Sequence, residues 1–412
     1  MTYIKPETTN QSLLVRHILN LCSTAAQQQN WLEVSDQIKL LPQSRTKLFL
    51  LEPEDWHTAF SLALRMLAEA DFQHKWEITK LLPLFGEKII EPLCNLALDE
   101  TIEVEVRWFI CKVLGKFPHR RVVLTLVKLL QQTTSSELIA IAEKTLIEIG
   151  DRAVDALIDL LSQPEQRVLA VRALSYIRTS QTIAPLLEIA TAEEPELRTI
   201  AIAALSSFHD ARIPPVAIAA LRDRASSVRK EAAIALGFRS DLCQELGLIA
   251  QLQPLLYDLD LEVCRQTAIA LGRMKHPEAA TALYDVLQAN TTPVTLKSDL
   301  IKALAWSETA SAIGYLEQGL NNGSELIVRE IITVLGRTTR SELKPLAARV
   351  LIDFWQNNRR CSSTIKQTLA TSLGQLRCNE ARQVLEVIVE DGDRKVKLHA
   401  LAALRKISDS SY

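Results

Sequence analysis

The stretch SSVRKEAAIALGF, from Ser226 to Phe238, opens on a charged Val-Arg-Lys-Glu step, runs through paired alanines and closes on Leu-Gly before an aromatic. Taking Leu236 as an anchor, leucine returns about every thirty residues, at Leu114, Leu146, Leu174, Leu205, Leu271, Leu304, Leu335, Leu373 and Leu404. The residue seven before each anchor is Arg107, Ile139, Arg167, Arg198, Arg229, Cys264, Lys297, Val328, Lys366 or Lys397, so a basic side chain recurs at that place in most units. Val228, Ala232, Ala235 and Leu236 keep to one stripe of a helix with roughly 3.6 residues per turn, and such a stripe faces a core. The residue just before the anchor is small at Ala173, Ala204, Ala235, Ala270, Ala303 and Ala403, which lets a neighbouring helix approach closely.

Each anchored segment is followed by a breaker region and a second Leu-rich helical pattern, as in GDRAVDALIDLLSQ and HPEAATALYDVLQAN. Clusters such as QPEQ, EEPE, LDLE, NNGS and EDGD mark the joints. A hairpin of this size cannot bury its apolar stripe alone, so successive hairpins must stack into an array with neighbour-only contacts. Composition agrees: 48% of the residues are hydrophobic, only 5% are aromatic, and there are just 12 glycines and 15 prolines in 412 residues, a balance that suits Leu/Ala-rich helices. An all-α chain follows, with about ten stacked helical hairpins.

The pattern VRKEAAIALG, echoed in EVRWFICKVLG, EVCRQTAIALGRM and IVREIITVLGR, resembles the HEAT repeat in its short form, the PBS-lyase HEAT-like repeat, from residue 101 to the C-terminus. The resemblance implies a right-handed α-solenoid of HEAT-like hairpins over residues 101–412, preceded by an irregular helical N-terminal cap over residues 1–100, where the period breaks down. It also implies that the recurring basic residue meets an acidic group at the repeat joint, for which Asp223, Asp258, Asp260 and Asp393 stand near enough in sequence. A solvated charge is the competing reading for each of them.

Where the array departs from its own pattern, partner contacts are expected. Trp108 sits where other units carry Thr199, Lys230, Arg265, Ser298, Arg329 and Gln367; it either fills a less regular core, as expected for Trp31, Trp56 and Trp76, or offers a contact. Arg120 and Arg121 follow His119 at a helix start, as a solvated turn or an anion contact. Two longer steps mark insertions, around RSDLCQELGLIAQ and around RSELKPLAARVLIDFWQNNRRCSS. The second brings together Phe354, Trp355, Arg359 and Arg360, either a plain helix end or the aromatic-plus-guanidinium mixture enriched where proteins bind.

A formal charge of −2 provides no overall field to hold nucleic acid or an acidic membrane surface. The seven cysteines are scattered without CxxC pairs and read as reduced, mostly buried thiols. No signal-type segment or membrane-length apolar run is apparent, so a cytoplasmic address is expected. There is no P-loop and no dinucleotide fingerprint. No histidine is followed by glutamate, which removes the di-iron chemistry of deoxyhypusine hydroxylase, another protein of HEAT-like hairpins. No catalytic, cofactor or metal residues are assigned. The reading is a non-catalytic scaffold or adaptor that binds a partner protein on its curved surface. The alternative, implied only by the resemblance, is a phycobilin lyase or bilin-handling chaperone of cyanobacterial type, with a bilin as its ligand and a phycobiliprotein or other photosynthesis-related protein as its partner.

Overall fold

In the computed structural model, which describes residues 6–43 and 51–408, the repeated stripe is helical throughout: twenty-four α-helices and no strand among the described residues. They form two compact units, divided between Ile189 and Ala190. The first unit holds α1 (Pro6–Gln27), α2 (Trp31–Gln43), α3 (Pro53–Glu69), α4 (Phe72–Leu81), α5 (Ile90–Leu98), α6 (Val104–Leu114), α7 (Arg120–Gln132), α8 (Ser136–Ile149), α9 (Val154–Leu161), α10 (Pro164–Tyr176) and α11 (Ile183–Ile189). Here α2 packs on α4, α4 on α6 and α6 on α8, while α1 packs on α3 and α5 on α7. The helices of the first hundred residues therefore take part in the same alternation as the repeats. Their irregularity is concentrated in the 3-10 turns Leu82–Phe85 and Glu87–Ile89 ahead of α5. Trp31 and Trp56 are buried in this unit, as core filling requires.

The second unit holds α12 (Pro195–Leu205), α13 (Ile213–Ala220), α14 (Ser226–Gly237), α15 (Leu248–Leu252), α16 (Leu261–Arg273), α17 (Pro277–Gln288), α18 (Val294–Trp306), α19 (Ala310–Asn322), α20 (Glu325–Gly336), α21 (Lys344–Asn357), α22 (Ser363–Leu376), α23 (Arg382–Val389) and α24 (Arg394–Ser408). The even-numbered helices, which carry the anchor leucines, stack in one row from α12 to α24, and α17, α19 and α21 stack in a second. Local sequence sets the starts. Proline occupies the first turn of α12, α17 and α21, where its missing N–H breaks no helical bond. Asp260, Thr309 and Ser362 accept a backbone N–H from the first turn of α16, α19 and α22. The first insertion breaks the second helix of its hairpin into the short α15 and a 3-10 turn, Gln253–Tyr257. The second lengthens the loops on either side of α21.

Two devices recur between hairpins. The first is steric. A Cβ added to Gly237, at the end of α14, would lie 3.0 Å from the Cα and Cβ of Ala270; one added to Gly272 would lie 2.6 Å from the carbonyl oxygen of Ala303. Ala270 and Ala303 are the small residues before the next anchor leucine, so the Leu-Gly step of one hairpin and the Ala-Leu step of the next are two halves of one contact. The anchors Leu236, Leu271 and Leu304 are themselves fully buried beside it, each contributing about 1.5–3 kcal/mol of hydrophobic stabilisation.

The second device is ionic. Arg229 Nε and Nη2 donate to the two carboxylate oxygens of Asp258, each at 2.7 Å, while Nη1 donates to the carbonyls of Asp223 at 2.8 Å and Arg224 at 3.1 Å. Arg198 repeats the arrangement one hairpin earlier, with Asp223 at 2.7 and 2.8 Å and the carbonyls of Ala192 and Glu193. Lys366 reaches Asp391 in the same sense, at 2.6 Å. At Arg198 and Arg229 the recurring basic residue is thus a clamp: it ties its own preceding loop to the loop of the following hairpin. Asp223 and Asp258 accept it as expected. Asp260 and Asp393 do not; each lies two residues beyond the clamped aspartate and accepts backbone N–H groups at the start of the next helix. Burial disfavours the charged forms of Asp223 and Asp258, but the guanidinium and backbone N–H bonds outweigh it and hold both carboxyls below their usual range. Where arginine is replaced by Cys264, the thiol makes a single 3.2 Å bond to the carbonyl of Asp258.

Candidate functional site

The helices α14, α16, α18 and α20 end one or two residues after their anchors, and the residue two past each anchor stands at the mouth of the following loop. In four consecutive hairpins this residue is Phe238, Arg273, Trp306 and Arg337, an alternation of aromatic and guanidinium groups. All four line one cleft of about 670 Å³. Its floor is apolar, formed by Leu304, Ala305, Ala312, Ile313, Leu316 and Leu335. Phe238 and Trp306 are 52% and 49% exposed, so the row leaves about half of each ring available to another molecule. The Arg273 guanidinium lies 4.6 Å from the centre of the Phe238 ring, within the range of a cation–π contact.

The loops that shape the cleft are held by Glu308. Its backbone is left-handed, with φ at 46°, and Lys275 takes the same conformation at the equivalent place one hairpin earlier, with φ at 51°. For non-glycine residues this conformation is held only by surrounding contacts. The Lys275 ammonium donates to the Glu308 carboxylate at 2.7 Å, the Thr339 hydroxyl bonds the same carboxylate, and Arg340 donates to the Glu308 carbonyl at 3.1 Å. One side chain therefore ties together three successive loops. Hydrogen bonds from Lys275 and Thr339 hold the Glu308 carboxyl below its usual range. The cleft is also lined by Lys302, which sits 3.7 Å from Glu330. Arg273 and Arg337 form no ion pair among the described residues and are exposed. The arrangement offers two half-exposed aromatic rings, two guanidiniums without a carboxylate partner among the described residues, one of them stacked on Phe238, and an apolar floor.

None of the partner-contact candidates read from the sequence lines this cleft. Trp108 is half-buried on α6, edge-on to Phe109 at 5.1 Å. Lys112 stands between it and Trp76, its ammonium 5.6 and 4.5 Å from the two rings, and Phe72, 55% exposed, stacks on Trp76. Trp108 thus belongs to an aromatic patch on α4 and α6. Arg120 donates to Gln166 on α10 at 3.1 Å, two hairpins on, and Arg121 to Glu91 on α5 of the preceding hairpin at 2.9 Å. Phe354 and Trp355 correct the expectation of a presented aromatic pair: they are 8% and 5% exposed, because both lie on the inward face of α21 one turn beyond Val350 and Leu351. Arg359 and Arg360 are exposed in the loop that follows.

Burial pushes the Cys111 thiol up to about 12, and burial likewise raises Cys94, Cys264 and Cys378. Among the described residues no group of three His, Cys, Asp or Glu side chains converges as a metal site. No helix among them is long and apolar enough to cross a membrane.

Among solved structures the chain is similar to human deoxyhypusine hydroxylase, at 22% identity over 62% of this chain and 96% of that one, with a TM-score of 0.28. It is similar to the complex of CpcE and CpcF of phycocyanin lyase from Nostoc, at 16% identity over 55% of this chain and 94% of that one, with a TM-score of 0.33. A third similar structure is Kap121p, at 12% identity over 92% of this chain and 50% of that one, with a TM-score of 0.48. No curated protein matches the chain. The pattern of HEAT repeats is found at residues 90–169, 154–237 and 214–298, just over half of the sequence, and the chain belongs to the HEAT-repeat family.

Proposed function

We propose that the chain is a non-catalytic interaction scaffold that seats a partner protein along the cleft between Phe238 and Leu343. The observation that carries this reading is the row Phe238, Arg273, Trp306 and Arg337, one residue from each of four successive hairpins, half-exposed over an apolar floor. Aromatic and arginine side chains around a desolvated centre are the groups that dominate binding energy in protein interfaces. The family supplies the context, since stacked repeats offer an extended surface built from equivalent positions.

The test is affinity isolation on the full chain and on a Phe238→Ala, Trp306→Ala double variant, followed by mass spectrometry. A protein retained by the first and lost from the second supports the reading. If every retained protein survives the double substitution, the cleft is not the binding site. Visible absorbance induced by phycocyanobilin, together with covalent bilin transfer to an apo-phycobiliprotein, would replace the scaffold with the narrower bilin-handling reading.

A further inference from the structure

Resting on the scaffold reading, we infer that the occupant of the cleft is an extended acidic segment in polyproline-II conformation, read at every third residue. The argument begins with spacing. Helices in contact lie about 8–10 Å apart, so the backbone positions that carry the row advance by about that distance per hairpin, while the Arg273 side chain leans back to 4.6 Å from the Phe238 ring. A polyproline-II chain has three residues per turn and rises about 3.1 Å per residue, so side chains on one edge recur about every 9 Å. A segment of about ten residues lying along the row therefore presents one side chain to each of Phe238, Arg273, Trp306 and Arg337 in turn. An extended β-strand does not fit as well, because residues three apart point to opposite faces.

Charge decides the sign of the occupant. Lys275 is paired with Glu308, and Lys302 stands by Glu330. Arg273 and Arg337 have no carboxylate partner among the described residues, and the planar fork of each matches a carboxylate. Phe238 and Trp306 supply the flat apolar faces on which proline rings dock in aromatic-lined grooves. The segment that fits carries an apolar residue, proline being the best, opposite each ring and an acidic residue opposite each arginine, in strict alternation at a period of three.

The experiment uses the full chain and fluorescein-labelled, proline-rich peptides of about ten residues. The first carries glutamates at the two positions that would face Arg273 and Arg337; the second carries lysines there; the third moves both glutamates by one residue. Binding is read by anisotropy. The first peptide is expected to bind, with affinity falling as salt rises, and to weaken about fivefold for Arg273→Gln or Arg337→Gln and about twentyfold or more for both. Both arginines are exposed, so far-ultraviolet circular dichroism of the variants should match that of the parent. Equal binding of the lysine or shifted peptide overturns the inference, as does a double arginine variant that binds like the parent. If the first peptide fails to bind while a partner protein is still lost on Phe238→Ala, Trp306→Ala, the acidic segment falls and the scaffold stands.

Discussion

Replacing Gly272 by alanine and replacing Gly314 by alanine add the same methyl group to two helices, and the structure predicts effects of opposite sign. In isolation either change favours a helix, by up to about 1 kcal/mol. At Gly314, inside α19, an added Cβ meets no atom within 4 Å, so the gain should appear almost whole, as about 0.5–1 kcal/mol of stabilisation. At Gly272 the same Cβ lies 2.6 Å from the carbonyl oxygen of Ala303 and 3.1 Å from its Cα. Those atoms are backbone of α18 and cannot rotate away, so α18 must retreat and loosen the packing of the buried Leu271 and Leu304. Overpacking of this kind costs about 1–3 kcal/mol, and the propensity gain is smaller than at Gly314 because Gly272 lies in the last turn. Gly272→Ala should therefore be destabilising by about 1–2 kcal/mol. The assay is urea denaturation followed by circular dichroism, supplemented by amide exchange in α16 and α18, since repeat arrays need not unfold in one step. A Gly272→Ala protein stabilised as much as Gly314→Ala would refute the close-approach reading of the Leu-Gly step.

Asp258→Ala should destabilise by about 2–3 kcal/mol, because it strands a guanidinium whose partner is 9% exposed; the urea midpoint checks it. The depressed carboxyls of Asp223 and Asp258 contribute stability that is fully present above the unfolded value of about 4 and is lost as pH falls through their lower folded values. Acid denaturation curves should accordingly be shallower below about pH 4 in an Arg198→Met, Arg229→Met variant, and unchanged slopes would argue against the clamps. Glu308→Ala should lower stability by about 1 kcal/mol and speed proteolysis at the loops carrying Lys275 and Arg340, as limited digestion would show. With a thiol reagent under native conditions, Cys361, the half-buried member, should react ahead of the six buried cysteines, whose labelling should await denaturation; a mass map of the adducts settles the order.

The repeat was legible because the anchor leucine returns in every unit on the same buried stripe. The small residue before the anchor and the glycine after it are both visible in sequence; that they touch each other across hairpins is not, since the contact joins residues about thirty apart. The basic row pointed to joint contacts, and Asp223 and Asp258 were within view. The division of labour between Asp258 and Asp260 was not, because only backbone geometry separates a clamp acceptor from a cap two residues later. Phe354 and Trp355 misled through composition, although their spacing from Ala347 and Leu351 already placed them on the buried stripe. The cleft is not legible in any single unit, because Phe238, Arg273, Trp306 and Arg337 form a set only across equivalent positions two past the anchor.

The arginine clamps bear on mechanics. Arg198 and Arg229 fasten the joints at the beginning of the second unit and Lys366 fastens one near its end; between them the equivalent places hold Cys264, Lys297 and Val328, and the ties are made elsewhere, by Arg265 to Asp299 and by Lys275 and Arg340 to Glu308. These are the hairpins from which most of the cleft is built. The second unit is therefore fastened by different means along its length, and an arriving ligand that widens or narrows the cleft works against the ties gathered at Glu308 and not against an arginine clamp.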